Sequence, residues 1–325
     1  MTVLRTIHGI SEDVACALGL LLNLLLIYSI RKANNVELKK YSRILLQSTF
    51  VDLVFLAIVF VAKPIVIIWR RTGFYLVNIP IEIPLDFKFL LADFYTFMLF
   101  CSPCTTAISF YYRYTVLCLN KPFSLLKQLC YLFGLGVLGI GYMILSLFYL
   151  YLRPKERLGI AEELQDMLAN GNGKVDAVLL ADPGDPYTLI VIGYAAAFTF
   201  GSYLVEVWCS WKIYKYLKLF NFNSNSRIKE IQNQITKTLI AQAIFPLLTF
   251  TVPMSFLIVN VMSPIEMNPE YSFFAGFIFA YYPTLNACSA LLFVKQYRKN
   301  ISKLAKGYCN IIFPGTCSIS TVEGS

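Results

Sequence analysis

The sequence predicts an all-α membrane protein: a bundle of seven transmembrane helices with the N-terminus outside the cell and the C-terminus in the cytoplasm. Three observations carry this expectation. Of 325 residues, 57% are apolar and only 14% charged, and the mean hydropathy is +0.62; soluble domains carry about 25% charge. A bilayer core about 30 Å thick is crossed by about 20 apolar helical residues, and runs of that length recur along the chain. The segments between the runs differ in charge from one side to the other, as the positive-inside rule requires.

In chain order, the spans read as follows. The first covers 14–30 and contains Asn23; the second covers 44–69 and is interrupted by Asp52, Lys63 and Pro64. The third covers 89–119, with Asp93 and Arg113 inside it, and the fourth, 128–152, has no charge. The fifth covers 187–211 and holds only Glu206, while the sixth, 238–265, and the seventh, 271–294, are uncharged. A tail, 295–325, follows, and the stretch from Lys295 to Lys306 suits an interfacial amphipathic helix, with Cys309 just beyond it as a palmitoylation candidate.

Orientation follows from the loops. Segments 31–43, 111–127, 212–237 and 295–325 hold nineteen basic residues against three acids; segments 1–13, 63–88, 153–186 and 263–270 hold nine against thirteen. The first set therefore faces the cytoplasm. A basic cytoplasmic rim beside anionic lipid accounts for the net charge of +9 without a nucleic-acid partner. Arg5 precedes an apolar stretch with no small-residue cleavage site, so the first helix is expected to act as its own insertion signal. The sequon Asn300-Ile301-Ser302 falls on the cytoplasmic side, out of reach of glycosylation.

Composition also narrows the chemistry. His8 is the single histidine, which excludes enzymes that need clustered imidazoles as metal ligands or bases; no cofactor or metal is expected. Cys101 and Cys104 form a CxxC inside an apolar run without a second pair, which reads as packing. Gly134, Gly136 and Gly139 spell GxGxxG in mid-span, where a phosphate-binding turn has no strand before it, and close helix packing explains them.

Polar side chains at membrane depth are expensive and mark sites or internal networks. At about 1.5 Å of rise per residue, Asn23, Asp52 and Asn286 each lie roughly 12–13 Å from the basic residue at their cytoplasmic end, which suits a shared polar relay; the alternative is that each bonds locally to its own helix. Arg113 sits at the cytoplasmic boundary among Tyr112 and Tyr114. It reads either as an interfacial anchor or as a latch between the third and sixth spans, with Glu206 and Glu230 as candidate acidic partners. Pro246, Pro253 and Pro283 are candidate hinges, because proline removes a backbone donor. Aromatic residues in the outer halves, with Asp93 nearby, suggest a pocket for a small apolar or volatile ligand: Phe94, Tyr95, Phe97, Tyr194, Phe198, Phe256, Phe274 and Phe277. Core packing is the alternative for each of them. The rival function is an ion channel or secondary transporter lined by Asp52, Asp93 and Glu206, which do not share one depth.

Taken together, Asn23 in its leucine run, Tyr41-Ser-Arg-Ile-Leu-Leu-Gln leading to Asp52, Phe110-Tyr-Tyr-Arg-Tyr114, Gln242 with Pro246 and Pro253, and Pro283 to Asn286 followed by Gln296-Tyr297-Arg298 resemble the nematode serpentine chemoreceptors, class delta most of all. The resemblance implies a non-enzymatic G-protein-coupled receptor of rhodopsin-like architecture, on the plasma membrane of sensory cilia, engaging a heterotrimeric G protein through Arg113. It departs from many rhodopsin-like receptors in two places. Residues 153–186 contain no cysteine for an outer-loop disulfide, and Ala287 follows Asn286 where proline is frequent.

Overall fold

The computed structural model describes residues 2–33, 36–77, 83–121, 125–152, 177–220, 226–265 and 268–312. Its helices are α1 (Thr2–Arg31), α2 (Val36–Ala62), α3 (Leu85–Leu117), α4 (Leu125–Leu152) and α5 (Pro186–Phe220). They are followed by α6 (Ser226–Pro246), α7 (Val252–Met262), α8 (Glu270–Ala280), α9 (Tyr282–Phe293) and α10 (Lys295–Ile312). Among the described residues, six helical stretches are long and apolar enough to cross a membrane, and Gly136–Ser146 of α4 is a shorter apolar one. Two of the six are composite: Thr236–Met262 joins α6 to α7, and Glu270–Phe293 joins α8 to α9.

Proline explains both joints. It supplies no amide donor, so the helical ladder is re-registered around it. Pro246 closes α6, a π-turn over Leu247–Thr251 follows, and Pro253 occupies the first turn of α7. Pro283 sits in the first turn of α9, directly after the break at Tyr281. Another proline, Pro103, lies within α3, a position not singled out from the sequence.

The run 44–69 is not one helix. The helix ends at Ala62, Lys63 adopts φ 41°, and Pro64–Trp69 forms strand β1. Pro64 cannot continue the ladder, and Ile-Val-Ile-Ile is β-branched, which favours a strand. Short apolar runs do not distinguish strand from helix by periodicity, which is why this boundary was misplaced. β1 pairs antiparallel with β2 (Thr72–Val77) from Pro64↔Val77 to Trp69↔Thr72, and β3 (Ala177–Ala181) adds to β2, giving the order β1-β2-β3. Arg70 and Arg71 form the two-residue turn with φ 48° and 64°. Such turns normally take Asn-Gly, and each left-handed non-glycine residue costs about 1–2 kcal/mol.

The sheet caps one end of the helical bundle and Arg113 lies toward the other. α3 is the central helix, packed on α2, α4, α5 and α6. Two apolar clusters fill the interior. One lies near the sheet, around Phe55, Tyr75, Tyr95, Phe250 and Phe279; the other surrounds Ile44, Phe110, Ile213 and Tyr297. Of the GxGxxG glycines, only Gly139 touches a neighbour: a Cβ there would lie 1.6 Å from the Phe97 ring, whereas Gly134 and Gly136 have open space. Cys104 Sγ lies 2.9 Å from Ser202 Oγ of α5, a packing contact between helices.

α1 begins at Thr2, well before position 14, and buries His8 and Glu12 against α8. His8 Nδ1 is 3.5 Å from Glu12 Oε2, one turn on, and its ring stacks at 4.8 Å on Phe277. α10 is tied to the bundle along one side. Lys295 N donates to Gln234 Oε1 (3.0 Å), Lys295 Nζ bonds Glu230, and Asn300 Nδ2 donates to Ser29 O (3.1 Å). Its Tyr297 is fully buried. Cys309 lies on α10 with its side chain outside the described residues.

Candidate functional site: an apolar cavity and a polar relay

Four buried polar residues from four spans join end to end. Asn286 Nδ2 donates to Asp52 Oδ2 (2.6 Å) and to Ser48 Oγ (3.2 Å), so α9 is bound to α2. Gln242 Nε2 donates to Asn286 Oδ1 (3.1 Å), and Arg113 Nη2 donates to Gln242 Oε1 (3.4 Å). Asn23 joins this group through the backbone, donating to Gly19 O (2.8 Å) and to Pro283 O (3.4 Å). The geometry therefore links α2, α3, α6 and α9 by side chains and α1 by a carbonyl. Gln242 is its hub, accepting from one neighbour and donating to the next, which an amide can do and a carboxylate cannot.

Arg113 is 2% exposed and reaches an amide. Neither candidate acid is hydrogen-bonded to it. Glu230 stands on the exposed part of α6, where its bond to Lys295 of α10, reinforced by the lysine charge, holds its carboxyl below the ordinary range. Glu206 is 1% exposed on α5, near Cys104, Tyr203 and Tyr282, and neither carboxyl oxygen has a hydrogen-bond partner. Tyr112 is buried beside Arg113, and Tyr114 packs edge-on against Trp208 at 4.9 Å. Outside the spans, burial pushes the Tyr297 phenol up to about 12, with the nearby Arg113 charge opposing. Lys215 Nζ lies 3.9 Å from the Trp211 ring and Lys212 near the same ring at 5.4 Å.

At the sheet end the bundle encloses a cavity of about 280 Å³. Its wall is mostly apolar and aromatic: Tyr95 and Phe100 of α3, Tyr142 of α4, Phe250 of the π-turn, Met254 of α7 and Phe279 of α8. Space exists because α5 presents small side chains, Ala195, Ala196 and Thr199, opposite those rings. Besides the hydroxyls of Thr96, Thr199 and Ser255, those of Tyr203, Thr251 and Tyr75 stand in the wall. Tyr203 Oη and Thr251 Oγ1 satisfy one another at 2.8 Å, while Tyr75 Oη, from β2, is buried without a hydrogen-bond partner. The cavity reaches the flank of the bundle, since Ala196 and Phe200 of α5 and Ser255 of α7 line it and are exposed.

Of the nine residues expected near a ligand, Tyr95 lines this cavity and the other eight do not. Phe94 and Phe97 stack on each other at 6.0 Å, Phe97 against Gly139; Tyr194 donates to Leu138 O (2.8 Å) and stacks on Phe198. Phe256 and Phe274 are 37% and 56% exposed, Phe277 packs on His8, and Asp93 is buried beside Ser146 of α4. The physical reason is helical phase: one residue turns a side chain by about 100°, so Tyr95, Ala195 and Leu257 face inward while Phe94, Tyr194 and Phe256 do not. The signal that locates the site is a small-residue face on α5 opposite a ring-rich face on α3, not the count of aromatics.

The comparisons bear on this geometry. The crystal structure of squid rhodopsin superimposes with a TM-score of 0.65 at 13% sequence identity, over 96% of this chain and 88% of that one. At this identity the likeness concerns the fold. No curated protein sequence matches the chain. The model of the Str type of serpentine seven-transmembrane chemoreceptor matches residues 8–302, and class delta is not confirmed by it. With almost the whole length matched, and a bundle of the rhodopsin kind behind it, the chain belongs to the serpentine seven-transmembrane G-protein-coupled chemoreceptors of the Str family.

Proposed function

We propose that this receptor detects a small, largely apolar molecule carrying one hydrogen-bonding group, bound in the 280 Å³ cavity, and activates a heterotrimeric G protein at the Arg113 end. The cavity is the observation that carries the reading. Apolar walls with few polar groups are how small ligands are commonly held, and the unpartnered Tyr75 hydroxyl offers a directional contact. A ligand dissolved in lipid has a route in past Phe200 and Ser255. The N-terminus and the sheet lie outside, the basic rim lies in the cytoplasm, and the plasma membrane of a sensory cilium is the setting.

Transmission is a population shift. Phe250 lines the cavity from within the π-turn, so occupancy acts directly on the joint between α6 and α7. Four residues before that joint ends α6, Gln242 holds Arg113 and Asn286. A ligand that favours a different setting of the joint thereby favours a different setting of this relay, and the surface opened beside Arg113 receives the G protein.

The test is expression in cultured cells with a panel of volatile ketones and the alkanes of matching length, reading calcium or cyclic nucleotide. Ligand-dependent signals that vanish in Ala195→Phe and in Arg113→Ala are expected. Tyr75→Phe weakens responses to the ketones by about 3- to 10-fold, the worth of one hydrogen bond, and leaves alkane responses unchanged. Currents that persist without a G protein would instead indicate a channel, and undiminished responses in Ala195→Phe would remove the cavity from the account.

A further inference from the structure

A second, separate recess of about 190 Å³ lies at the sheet end, between the β1–β2 turn and the connection from α7 to α8. Its character is the reverse of the apolar cavity. Trp69, Arg70, Arg71, Asn260, Asn268 and Ser272 line it, and among the described residues its wall holds no acidic side chain. Asn268 is spent in the turn that starts α8, where its Oδ1 accepts from Glu270 N (3.0 Å). Ser272 is spent as well: its hydroxyl accepts from Ile68 N (3.2 Å) and donates to Pro269 O. Three buried polar atoms are not spent. Trp69 Nε1, Arg71 Nε and Asn260 Oδ1 have no hydrogen-bond partner, and Asn260 is 4% exposed.

Burying donors and leaving them unpaired is costly, and here the cost falls on a turn already strained, with both arginines at positive φ. Strain and unpaired polarity together at one place are features of ligand clamps. The donors are of one kind, an indole N–H and a guanidinium, which match the lone pairs of a planar anion. Asn260 completes the set, since its amide presents nitrogen or oxygen to the same space by rotation about its last bond.

We infer that this recess is an anion site, distinct from the apolar cavity, that binds a small organic carboxylate through Arg71, Trp69 and Asn260. Ile68 lines both spaces and stands between them, with its amide held by Ser272. A carboxylate bound in the recess is therefore in contact with a wall of the apolar cavity, and its occupancy modulates what that cavity admits.

The experiment measures binding, not signalling, so that it does not depend on the proposed function. Purified full-length chain in phosphatidylcholine nanodiscs is titrated with hexanoate at pH 7, following the thermal unfolding midpoint, with hexanol as the uncharged control. A saturable rise with hexanoate is expected. Arg71→Gln raises the half-saturating concentration about tenfold or more, Arg71→Lys retains part of the effect, and Trp69→Phe, which leaves the turn intact, weakens it. Hexanol, a probe for the apolar cavity, behaves alike in the wild type and Arg71→Gln, so the two sites fail separately. The inference is overturned by no saturable response in the wild type, by an equal response in Arg71→Gln and Trp69→Phe, or by an Arg71-dependent rise that phosphatidylserine nanodiscs produce without hexanoate, which would mean a lipid headgroup.

Discussion

At the scale of single residues the centre of gravity is Gln242. It hydrogen-bonds both to the arginine near one end of the bundle and to Asn286 of the Asn286–Asp52 pair within it. An amide hydrogen bond at 3.4 Å is a weak restraint, so α3 and α6 are held together by a contact that a modest ligand bias can break. Gln242→Leu keeps the volume and deletes the restraint; basal nucleotide exchange on a co-expressed G protein should rise several-fold, and an unchanged basal rate would show that the contact does not hold the resting state. Asp52 and Asn286 were legible in the sequence because a polar group at membrane depth has to find a partner. The Gln242 contact of Arg113 was not, because a guanidinium at a span's end suggests a carboxylate, whereas here it donates to an amide oxygen. Most of the cavity-lining residues were illegible for another reason: composition marks which helices carry rings, but helical phase marks which rings face inward, and a uniformly apolar span conceals its phase.

Elements behave according to what joins them. At Gly139 α4 packs directly against α3, and the Phe97 ring, stacked on Phe94, occupies the space a methyl group would need. Gly139→Ala forces that ring aside and should cost about 1–3 kcal/mol, seen as a lower thermal unfolding midpoint; Gly136→Ala, which meets open space, should cost nothing comparable. At the other end, α10 is fastened to α6 by Lys295 and Glu230. Because the Glu230 carboxyl is held below its ordinary value by Lys295, the contact is intact above that value and is lost as pH falls through the lowered one. Spin labels at positions 237 and 303 should report one short distance at pH 7, broadening under acid, and an already broad, pH-independent distance in Glu230→Gln. The long spans were readable from hydropathy because lipid imposes their length. The β1–β2 hairpin was not, since its strand continues the apolar run of α2 and only Lys63-Pro64 marks the break.

For the molecule as a whole, the decisive fact is its solvent. Large apolar side chains lie exposed on the flanks of the bundle, among them Phe133 at 75%, Val207 at 67% and Phe200 at 66%, and a water-soluble protein does not tolerate contiguous surfaces of this kind. Lipid covers them, and lipid then admits only helices and closed sheets across its core; the small sheet is compatible because it sits at one end, at the boundary. Once lipid is the solvent, the unequal loops predict a direction: nineteen basic residues against three acids in the segments expected to face the cytoplasm, nine against thirteen in those expected outside. Each apolar span crossed reverses sides, so the seven spans read from the sequence predict termini on opposite sides. An epitope fused after Ser325 should therefore stain only permeabilised cells, and one fused before Met1 should stain intact ones. Staining of the C-terminal epitope on intact cells would invert the receptor, turn the apolar cavity and the carboxylate recess toward the cytoplasm, and remove both from the reach of any molecule sensed from outside.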